Sequence, residues 1–268
     1  MYMNKKAILV VSFGTSIKTA FESCIESTEN AIRESFKDYE VRRAFTSYII
    51  IKKLKAEKNI VIDTPQEALK KLKDDGFDEV YIQPLHIMPG DEYNKIVDKV
   101  RIYKDDFEKF VLGRPMLYRT EDYFKTVEAL KKQIPKLEKN NCVILMGHGS
   151  EHPINAAYAL LQYILDEAKP GNVYVATVEG YPMLKQVISK LEERNIKEVM
   201  LMPFMLVAGD HAINDMAGNR DDSWKNILEK HGFKVSLYMH GLGENKAFQQ
   251  IYIHHILDSI DGNPMLEK

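Results

Sequence analysis

The chain of 268 residues has little cysteine and only one tryptophan. Its two cysteines, Cys24 and Cys142, are too few for a disulfide framework and have no cysteine partner at metal-ligand spacing. This scarcity excludes a disulfide-stabilised secreted domain and a thiolate zinc site. It favours a reducing compartment, and we expect a cytoplasmic protein.

An excess of one charge and long apolar runs are also lacking. Lys and Arg number 37 against 39 Asp and Glu, for a net charge of −2, which argues against nucleic-acid binding through bulk charge. The longest apolar runs, such as Ala7–Val11 and Tyr48–Ile51, fall far short of the roughly 18 residues of a membrane span. The N-terminal run meets a glycine turn too early for a signal peptide, so it predicts a strand. We therefore expect neither nucleic acid nor a membrane as partner.

Short apolar runs alternate with longer segments of helical periodicity, a pattern typical of parallel α/β folds. The predicted strands are Ala7–Ser12, Arg42–Phe45, Glu79–Leu85, Phe110–Leu112, Cys142–Met146, Val173–Thr177, Val199–Leu206 and Lys234–Leu237. The predicted helices are Phe21–Phe36, a capped helix from Thr64 to Gly76, one from about Asp91, Glu121–Gln133, Pro153–Ala168, Leu184–Arg194, Asp222–Lys230 and Asn245–Ile260.

Matching motifs recur in the same order in the two halves of the chain, which indicates an internal duplication. The matched segments are Val11–Ser16 with Met146–Glu151, Glu79–Glu92 with Glu198–His211, and, more loosely, Arg43–Tyr48 with Val175–Tyr181. We therefore predict two similar α/β domains, 1–132 and 133–268, that face each other across a cleft. The terminal helix could pack back on the first domain. Ligands of parallel sheets bind beyond the carboxyl ends of strands, where all the matched segments lie.

Residue types that bind metals appear where the second half differs from the first. The corresponding positions, first half before second, are Phe13 and His148, Ser47 and Glu179, and Glu92 and His211. Two imidazoles and a carboxylate from three strand ends suit a divalent first-row metal and leave coordination positions open. Asp215, four residues after His211, would face the same side of a helix and orient that imidazole.

Each of these residues also has a plain structural alternative. His148, between two glycines, could hydrogen-bond a loop carbonyl, and His211 could simply begin a helix. Glu179 could accept N–H groups at a helix N-terminus, and a helix dipole favours Glu92 in any case. His86, after an apolar strand, could be a buried structural histidine.

Basic residues and two glycine turns offer contacts to an acidic ligand. Arg42 and Arg43 enter a strand and could reach the cleft, as could Arg114. The turns SFGTS and GHGS present backbone N–H groups suited to a carboxylate or phosphate. Neither turn is a P-loop, and no GxGxxG follows a strand, so no nucleotide cofactor is predicted.

Together, the motifs VVSFGTS, RAFTSYIIIKKL, DTPQEAL, LHIMPGDEY, MGHGS, VEGYP and MPFMLVAGDHAINDM resemble the anaerobic-type sirohydrochlorin cobaltochelatases. These are class II chelatases of the early-cobalt cobalamin pathway. The resemblance runs from Ala7 to about Ile260, and GDHAINDM after an apolar strand is its most specific part. It implies two α/β domains with a tetrapyrrole cleft between them.

The resemblance also implies roles for individual residues. His148 and His211 would bind cobalt, Glu179 would be a third metal position, and His148 would also be the general base. Glu92 would be a catalytic carboxylate. The expected substrate contacts are Ser12, Gly14, Thr15, His86, Arg42 and Arg43. Co²⁺ is the expected substrate metal, and Fe²⁺, Ni²⁺ or Zn²⁺ could occupy the same site; the oligomeric state stays open, a homo-oligomer included.

The expected reaction is insertion of Co²⁺ into sirohydrochlorin with release of two pyrrole protons. Closure of two domains on the macrocycle would bend it so that its nitrogens face the metal. The rivals are iron insertion to make sirohaem, nickel insertion, and a non-catalytic carrier of a metal or tetrapyrrole. A zinc hydrolase is less favoured because no HExxH pattern is present.

Overall fold

The structure, a computed structural model, describes residues 4–262 and divides the chain into two compact units. The first unit is drawn from Met1–Tyr118 and Lys246–Lys268, and the second is Arg119–Asn245. The division between Tyr118 and Arg119 comes earlier in the sequence than the predicted 132/133 boundary, because the helix that ends near residue 133 packs within the second unit. The C-terminal helix belongs to the first unit.

A four-stranded, fully parallel sheet forms the centre of each unit. The strands of the first unit, in the spatial order β2-β1-β3-β4, are β1 (Lys6–Ser12), β2 (Glu40–Phe45), β3 (Glu79–Pro84) and β4 (Lys109–Leu112). Those of the second, in the order β6-β5-β7-β8, are β5 (Asn141–Gly147), β6 (Val173–Thr177), β7 (Glu198–Pro203) and β8 (Lys234–Leu237). The predicted α/β class with two similar parallel sheets is confirmed.

Helices connect the strands and cover the sheets. In chain order they are α1 (Lys18–Ala20), α2 (Ser27–Ser35), α3 (Tyr48–Lys58), α4 (Pro65–Asp74), α5 (Asp91–Val100), α6 (Thr120–Gln133), α7 (Ala157–Ala168), α8 (Leu184–Glu193), α9 (Trp224–Lys230) and α10 (Lys246–Ile260). Two π-helical segments also occur, Phe21–Glu26 between α1 and α2, and Ala212–Met216 after β7. The 3₁₀ turns are Arg101–Asp106, Pro153–Ala156 and Leu242–Glu244.

Apolar side chains on both faces of the central strands explain why each sheet is covered on both sides. On one face of β1, Ala7, Leu9 and Val11 pack with Leu69 and Leu72 of α4. The start of α4 is a reciprocal capping box with proline in the first turn, as the sequence predicts.

Helix α10 is held to the rest of the first unit by polar contacts as well as by packing. The Tyr252 hydroxyl donates to the Leu85 carbonyl at 2.9 Å. The Arg114 guanidinium, almost fully buried, pairs with the Asp258 carboxylate at 2.6 Å. Arg114 is therefore a structural residue of the first unit.

Equivalent hydrogen bonds in the two units support the internal duplication. The matched bonds, N–H donor before carbonyl acceptor, are Leu85 to Val11 with Phe204 to Met146, Ser47 to Phe13 with Glu179 to His148, and Asn94 to Gly90 with Ile213 to Gly209. These bonds make Phe13, Ser47 and Glu92 the positional equivalents of His148, Glu179 and His211.

Three elements differ from the sequence prediction. The stretch predicted as one helix, Phe21–Phe36, consists of the π-helical segment Phe21–Glu26 followed by α2. Helix α3 begins in a stretch that the sequence shows only as a short apolar run; Ser47 caps it by accepting the Ile50 N–H at 3.4 Å. Strand β7 ends at Pro203 rather than Leu206, because the following backbone leaves the sheet and bonds to Leu242 and Gly243. None of the helices within residues 4–262 is both long and apolar enough to cross a membrane.

Candidate metal-binding site

His148 lies in a tight turn between Gly147 and Gly149, and both glycines are in close contact with neighbouring atoms. A Cβ on Gly147 would lie 2.3 Å from the Tyr158 ring. Gly149 has a φ of +82°, and a Cβ there would lie 2.0 Å from the Glu179 carbonyl oxygen. Only glycine fits both positions, so the GHG sequence is a steric requirement of the turn.

Tyr158 of α7 lies beneath this turn. Its buried hydroxyl accepts the Gly149 N–H at 3.2 Å, and burial raises the pKa of this phenol. The ring packs on Gly147 while the hydroxyl holds Gly149, so one side chain supports both sides of His148. The sequence reasoning missed this residue, whose signal would have been a tyrosine on the predicted helix that follows GHGS.

The segments that follow β5 and β6 remain paired beyond the sheet. The Val178 N–H donates to the Gly147 carbonyl at 3.0 Å, and the Glu179 N–H donates to the His148 carbonyl at 2.7 Å. The backbones of His148 and Glu179 are therefore neighbours. The Glu179 side chain is exposed and has no hydrogen bond or ion pair to any residue between 4 and 262.

His211 comes just before the π-helical segment after β7, four residues ahead of Asp215. Its Nδ1 lies 2.6 Å from Asp215 Oδ2. A carboxylate oxygen accepts, so Nδ1 is the donor, and Nε2 is the ring nitrogen that this bond leaves unused. Asp215 also receives Arg220 Nη2 on Oδ1 at 3.0 Å.

His148 and His211 are brought together at the carboxyl edge of this sheet. Their ring centroids are 4.7 Å apart, and the ring planes are nearly perpendicular at 88°. Nδ1 of His148 donates to the Gly149 carbonyl at 2.8 Å, so Nε2 is again the nitrogen that this bond leaves unused. Two adjacent imidazoles, each held through Nδ1, are suited to binding a divalent first-row cation through Nε2.

The third predicted ligand does not join these histidines. Within residues 4–262, no group of three or more His, Cys, Asp or Glu side chains is placed to hold a metal ion. The structure thus forms a two-histidine arrangement with the Glu179 backbone beside it, and the Glu179 carboxylate does not complete a three-ligand group with the two imidazoles.

The equivalent edge of the first unit has different chemistry. Phe13 is 47% exposed at the position of His148, and Ser47 is used as the cap of α3. Glu92, in the first turn of α5, accepts the Thr46 hydroxyl at 3.4 Å and forms an ion pair with Lys95. This edge of the first unit therefore offers a single carboxylate and no imidazole at the matched positions.

The SFGTS turn is held by a contact within itself and by contacts with the segment that follows β2. Gly14 has a φ of +93°, and a Cβ there would lie 2.4 Å from the Phe45 ring. The Thr15 hydroxyl accepts the Ile17 N–H at 3.2 Å. Ser12 is buried, and its Oγ has no hydrogen-bond partner among the residues that the structure describes.

His86 lies just beyond β3 in an unusual setting. The residue as a whole is half-buried, but both ring nitrogens are shielded from solvent and bond to no atom of residues 4–262. Burial lowers the pKa of His86 to about 4, although the nearby Glu92 carboxylate acts in the opposite direction. The imidazole is therefore neutral near pH 7.

The arginines expected to contact substrate are occupied by ion pairs. Arg42 pairs with Glu40 and Asp75, close to the amino ends of the strands and not to the carboxyl edge. Arg43 pairs with the buried Glu29 of α2. The sequence showed two basic residues near a predicted strand, but it did not show that acidic partners lie beside them.

The matching family model and the two curated relatives described here are all cobalt chelatases. The sequence model of the family described as cobalt chelatase (CbiK) matches residues 6–261. The chain is 42% identical over 257 residues to a sirohydrochlorin cobaltochelatase of Salmonella typhimurium, covering 96% of this chain and 97% of that protein. It is 33% identical to the sirohydrochlorin cobaltochelatase CbiKC of Nitratidesulfovibrio vulgaris, covering 96% and 92%.

A solved structure also resembles the chain in fold. SirB from Bacillus subtilis, solved with Fe³⁺, superposes with a TM-score of 0.62 at 18% identity. The match covers 98% of this chain and 100% of SirB. At that identity the likeness concerns the fold alone.

Proposed function

The chain belongs to the cobalt chelatase family, and from that premise we propose that it is a sirohydrochlorin cobaltochelatase of anaerobic cobalamin biosynthesis. It inserts Co²⁺ into sirohydrochlorin and releases two pyrrole protons. The observation that carries the proposal is the pair of imidazoles, His148 and His211, with ring centroids 4.7 Å apart. The name and 42% identity of the Salmonella relative support the choice of substrate.

His211 is proposed to hold the incoming ion. Its Nδ1–H is held by Asp215, which directs the ring and leaves Nε2 as the nitrogen that can bind the ion. Glu179 is proposed as a further ligand once its exposed carboxylate turns toward the histidines. The ion is a substrate here, so ligands that leave it open positions favour its transfer.

His148 is proposed to be both ligand and general base, but at different times. Its Nδ1 is engaged with the Gly149 carbonyl, so Nε2 is the atom that either binds the ion or accepts a proton. Imidazole is the side chain that most often serves as a general base near neutral pH. The ion must therefore leave His148 before this residue takes a pyrrole proton.

The first unit is proposed to contribute contacts to the macrocycle. Glu92, which forms an ion pair with Lys95, is a candidate second proton acceptor. Ser12, Gly14, Thr15 and His86 remain the proposed contacts, while Arg42 and Arg43 leave the proposal because their ion pairs occupy them. The reaction is proposed to take place in the cytoplasm; Cys24 and Cys142 are not joined in a disulfide, in keeping with a reducing compartment.

An anaerobic absorbance assay tests the function. Purified protein and sirohydrochlorin receive Co²⁺, Fe²⁺ or Ni²⁺ in parallel, each against a reaction without enzyme. Fastest catalysed conversion with Co²⁺ is expected. Preference for Fe²⁺ would move the protein to sirohaem synthesis, and binding of sirohydrochlorin without acceleration for any metal would make it a carrier.

Substitutions test the residue roles separately. We expect His148→Ala to abolish turnover, because it removes the proposed base, and His211→Ala to weaken Co²⁺ binding by the protein alone. His231→Ala, which removes an exposed histidine of the same unit, is the control and should retain both. Full turnover in His148→Ala would contradict the base role, and unchanged Co²⁺ affinity in His211→Ala would contradict the ligand role.

A further inference from the structure

The carboxylate that orients His211 is itself held by a second residue. Asp215 uses its two oxygens for two different donors: Oδ2 accepts from His211 Nδ1 at 2.6 Å, and Oδ1 accepts from Arg220 Nη2 at 3.0 Å. The imidazole, the carboxylate and the guanidinium thus form a continuous chain of charge-assisted hydrogen bonds.

Arg220 is fixed at its other side as well. Its Nε donates to Asp222 at 3.1 Å, and its carbonyl accepts both the Ser223 N–H and the Asn226 side-chain amide, at 3.1 and 2.8 Å. Its backbone is therefore anchored at the start of α9, while its side chain reaches back to Asp215.

The backbone between Asp215 and Arg220 is shaped so that the Arg220 side chain can reach Asp215. After the π-helical segment the chain turns sharply at Gly218, where a Cβ would lie 2.2 Å from the Asn214 carbonyl oxygen. This close approach needs glycine, and it brings the following residues back along the segment that carries Asp215.

We propose that Arg220 is a positioning residue of the metal site: it holds the Asp215 carboxylate in the orientation that keeps His211 Nε2 available to a divalent cation. The proposal rests on the ligand role of His211 under the proposed function. Arg220 touches neither imidazole by any hydrogen bond within residues 4–262, so it acts through Asp215.

The sign of the change in Co²⁺ affinity when Arg220 is removed distinguishes a positioning role from a purely electrostatic one. If Arg220 acted only as a positive charge near a cation, its removal would strengthen Co²⁺ binding. If it positions Asp215, its removal weakens binding, because the carboxylate is freed to leave His211. Arg220 is mostly exposed, and exposed ion pairs contribute little to folding, so the variant is expected to fold.

The experiment measures Co²⁺ affinity of the full-length protein without tetrapyrrole, by titration calorimetry. Partners that hold a metal-ligating histidine typically contribute 10-fold to 100-fold in affinity, and we expect Arg220→Ala, one step further from the ion, to lose roughly threefold to tenfold. Lys230→Ala is the matched control, since it removes one exposed positive charge from a neighbouring ion pair with Asp221. It should leave affinity unchanged or slightly increased.

A double-mutant cycle tests whether Arg220 acts through Asp215. In the Asp215→Asn background, Arg220→Ala should have no further effect, and Arg220→Lys in the otherwise unchanged protein should recover only part of the affinity, since it keeps the charge and loses the planar fork. Affinity in Arg220→Ala equal to or above that of the unchanged protein would overturn the proposal. So would an undiminished loss in the Asp215→Asn background. Unchanged affinity in His211→Ala would instead contradict the ligand role of His211 under the proposed function, whatever Arg220 does.

Discussion

At the scale of single residues, His148 shows that a structural and a functional explanation can hold together. Its Nδ1 donates to the neighbouring Gly149 carbonyl, which is the structural alternative that the sequence left open. The same bond fixes the tautomer and leaves Nε2 with its lone pair, which is what a ligand or base requires. The hydrogen bond that stabilises the turn therefore also orients His148 for its proposed role.

His86 is the residue whose environment predicts a pH effect on stability. Its pKa is lowered by burial to about 4 in the folded protein, against about 6.5 in an unfolded chain. As the pH falls below about 6.5, the unfolded state therefore takes up a proton that the folded state does not. This should cost about 3 kcal/mol of the free energy of unfolding by pH 4.

His86→Met should remove this contribution, and Met205 at the equivalent position of the second unit shows that a thioether suits this place in the fold. Urea unfolding at pH 7 and at pH 5 would measure it, with circular dichroism as the signal. His231→Met, which removes an exposed imidazole, is the control and should keep the effect due to His86. An unchanged pH dependence in His86→Met would contradict the prediction.

At the scale of elements, the pairing of the segments after β5 and β6 builds the site. The Glu179 N–H bonds to the His148 carbonyl, and the Ser47 N–H bonds to the Phe13 carbonyl in the first unit. The same backbone geometry therefore presents His148 in one unit and an exposed aromatic ring in the other. The element sets the position, and the side chain at that position sets the chemistry.

Gly149→Ala tests this pairing. The new Cβ would meet the Glu179 backbone at 2.0 Å in a residue with φ of +82°, so the two segments must separate. We expect a loss of about 3 kcal/mol in the free energy of unfolding, from strain and the broken backbone bond together. Co²⁺ binding should weaken as well, because His148 moves.

Gly232→Ala is the matched control for Gly149→Ala. Gly232 has nearly the same φ, +84°, in the same unit, but a Cβ added there would have no atom within 4 Å. Gly232→Ala should lower the free energy of unfolding by only roughly 1 kcal/mol, the cost of an alanine in the left-handed region, and it should keep full Co²⁺ affinity. Equal losses in the two variants, measured by chemical denaturation, would show that the contact with Glu179 is unimportant.

At the scale of the whole molecule, Trp224 lets one unit be followed separately. It is the one tryptophan of the chain, and it is buried in the core of the second unit with Met216 and Leu228. Its fluorescence therefore reports the unfolding of the unit that contains His148 and His211.

Co²⁺ should stabilise that unit by mass action. At a concentration 100-fold above its Kd, a ligand that binds only the folded state adds about 2.7 kcal/mol to the free energy of unfolding. The midpoint of the Trp224 transition in urea should rise with Co²⁺ and return to its original value with a chelator. A double variant, His148→Ala with His211→Ala, should show no shift; a shift of equal size there would place the ion elsewhere.

The fold class, the duplication and the residues that distinguish the second half can be predicted from the amino-acid sequence alone. Alternating apolar and helical segments predict parallel α/β units because local hydrophobic periodicity follows directly from strand and helix geometry. The repeated motifs located Phe13 against His148 and Glu92 against His211, and the same backbone hydrogen bonds recur at those positions. These features are local or repetitive, so one chain is enough to reveal them.

Which side chains meet could not be predicted without the folded chain. The fold places His148 beside His211, Tyr158 beneath the GHG turn and Arg220 beside Asp215, and it does not bring the Glu179 carboxylate into a three-ligand group. Each of these depends on the direction of a side chain and on partners distant in sequence or on an irregular π-helical turn, and periodicity contains no such information. The ion pair between Arg43 and Glu29 was likewise not predictable from the sequence, because the buried Glu29 lies on a different element, α2.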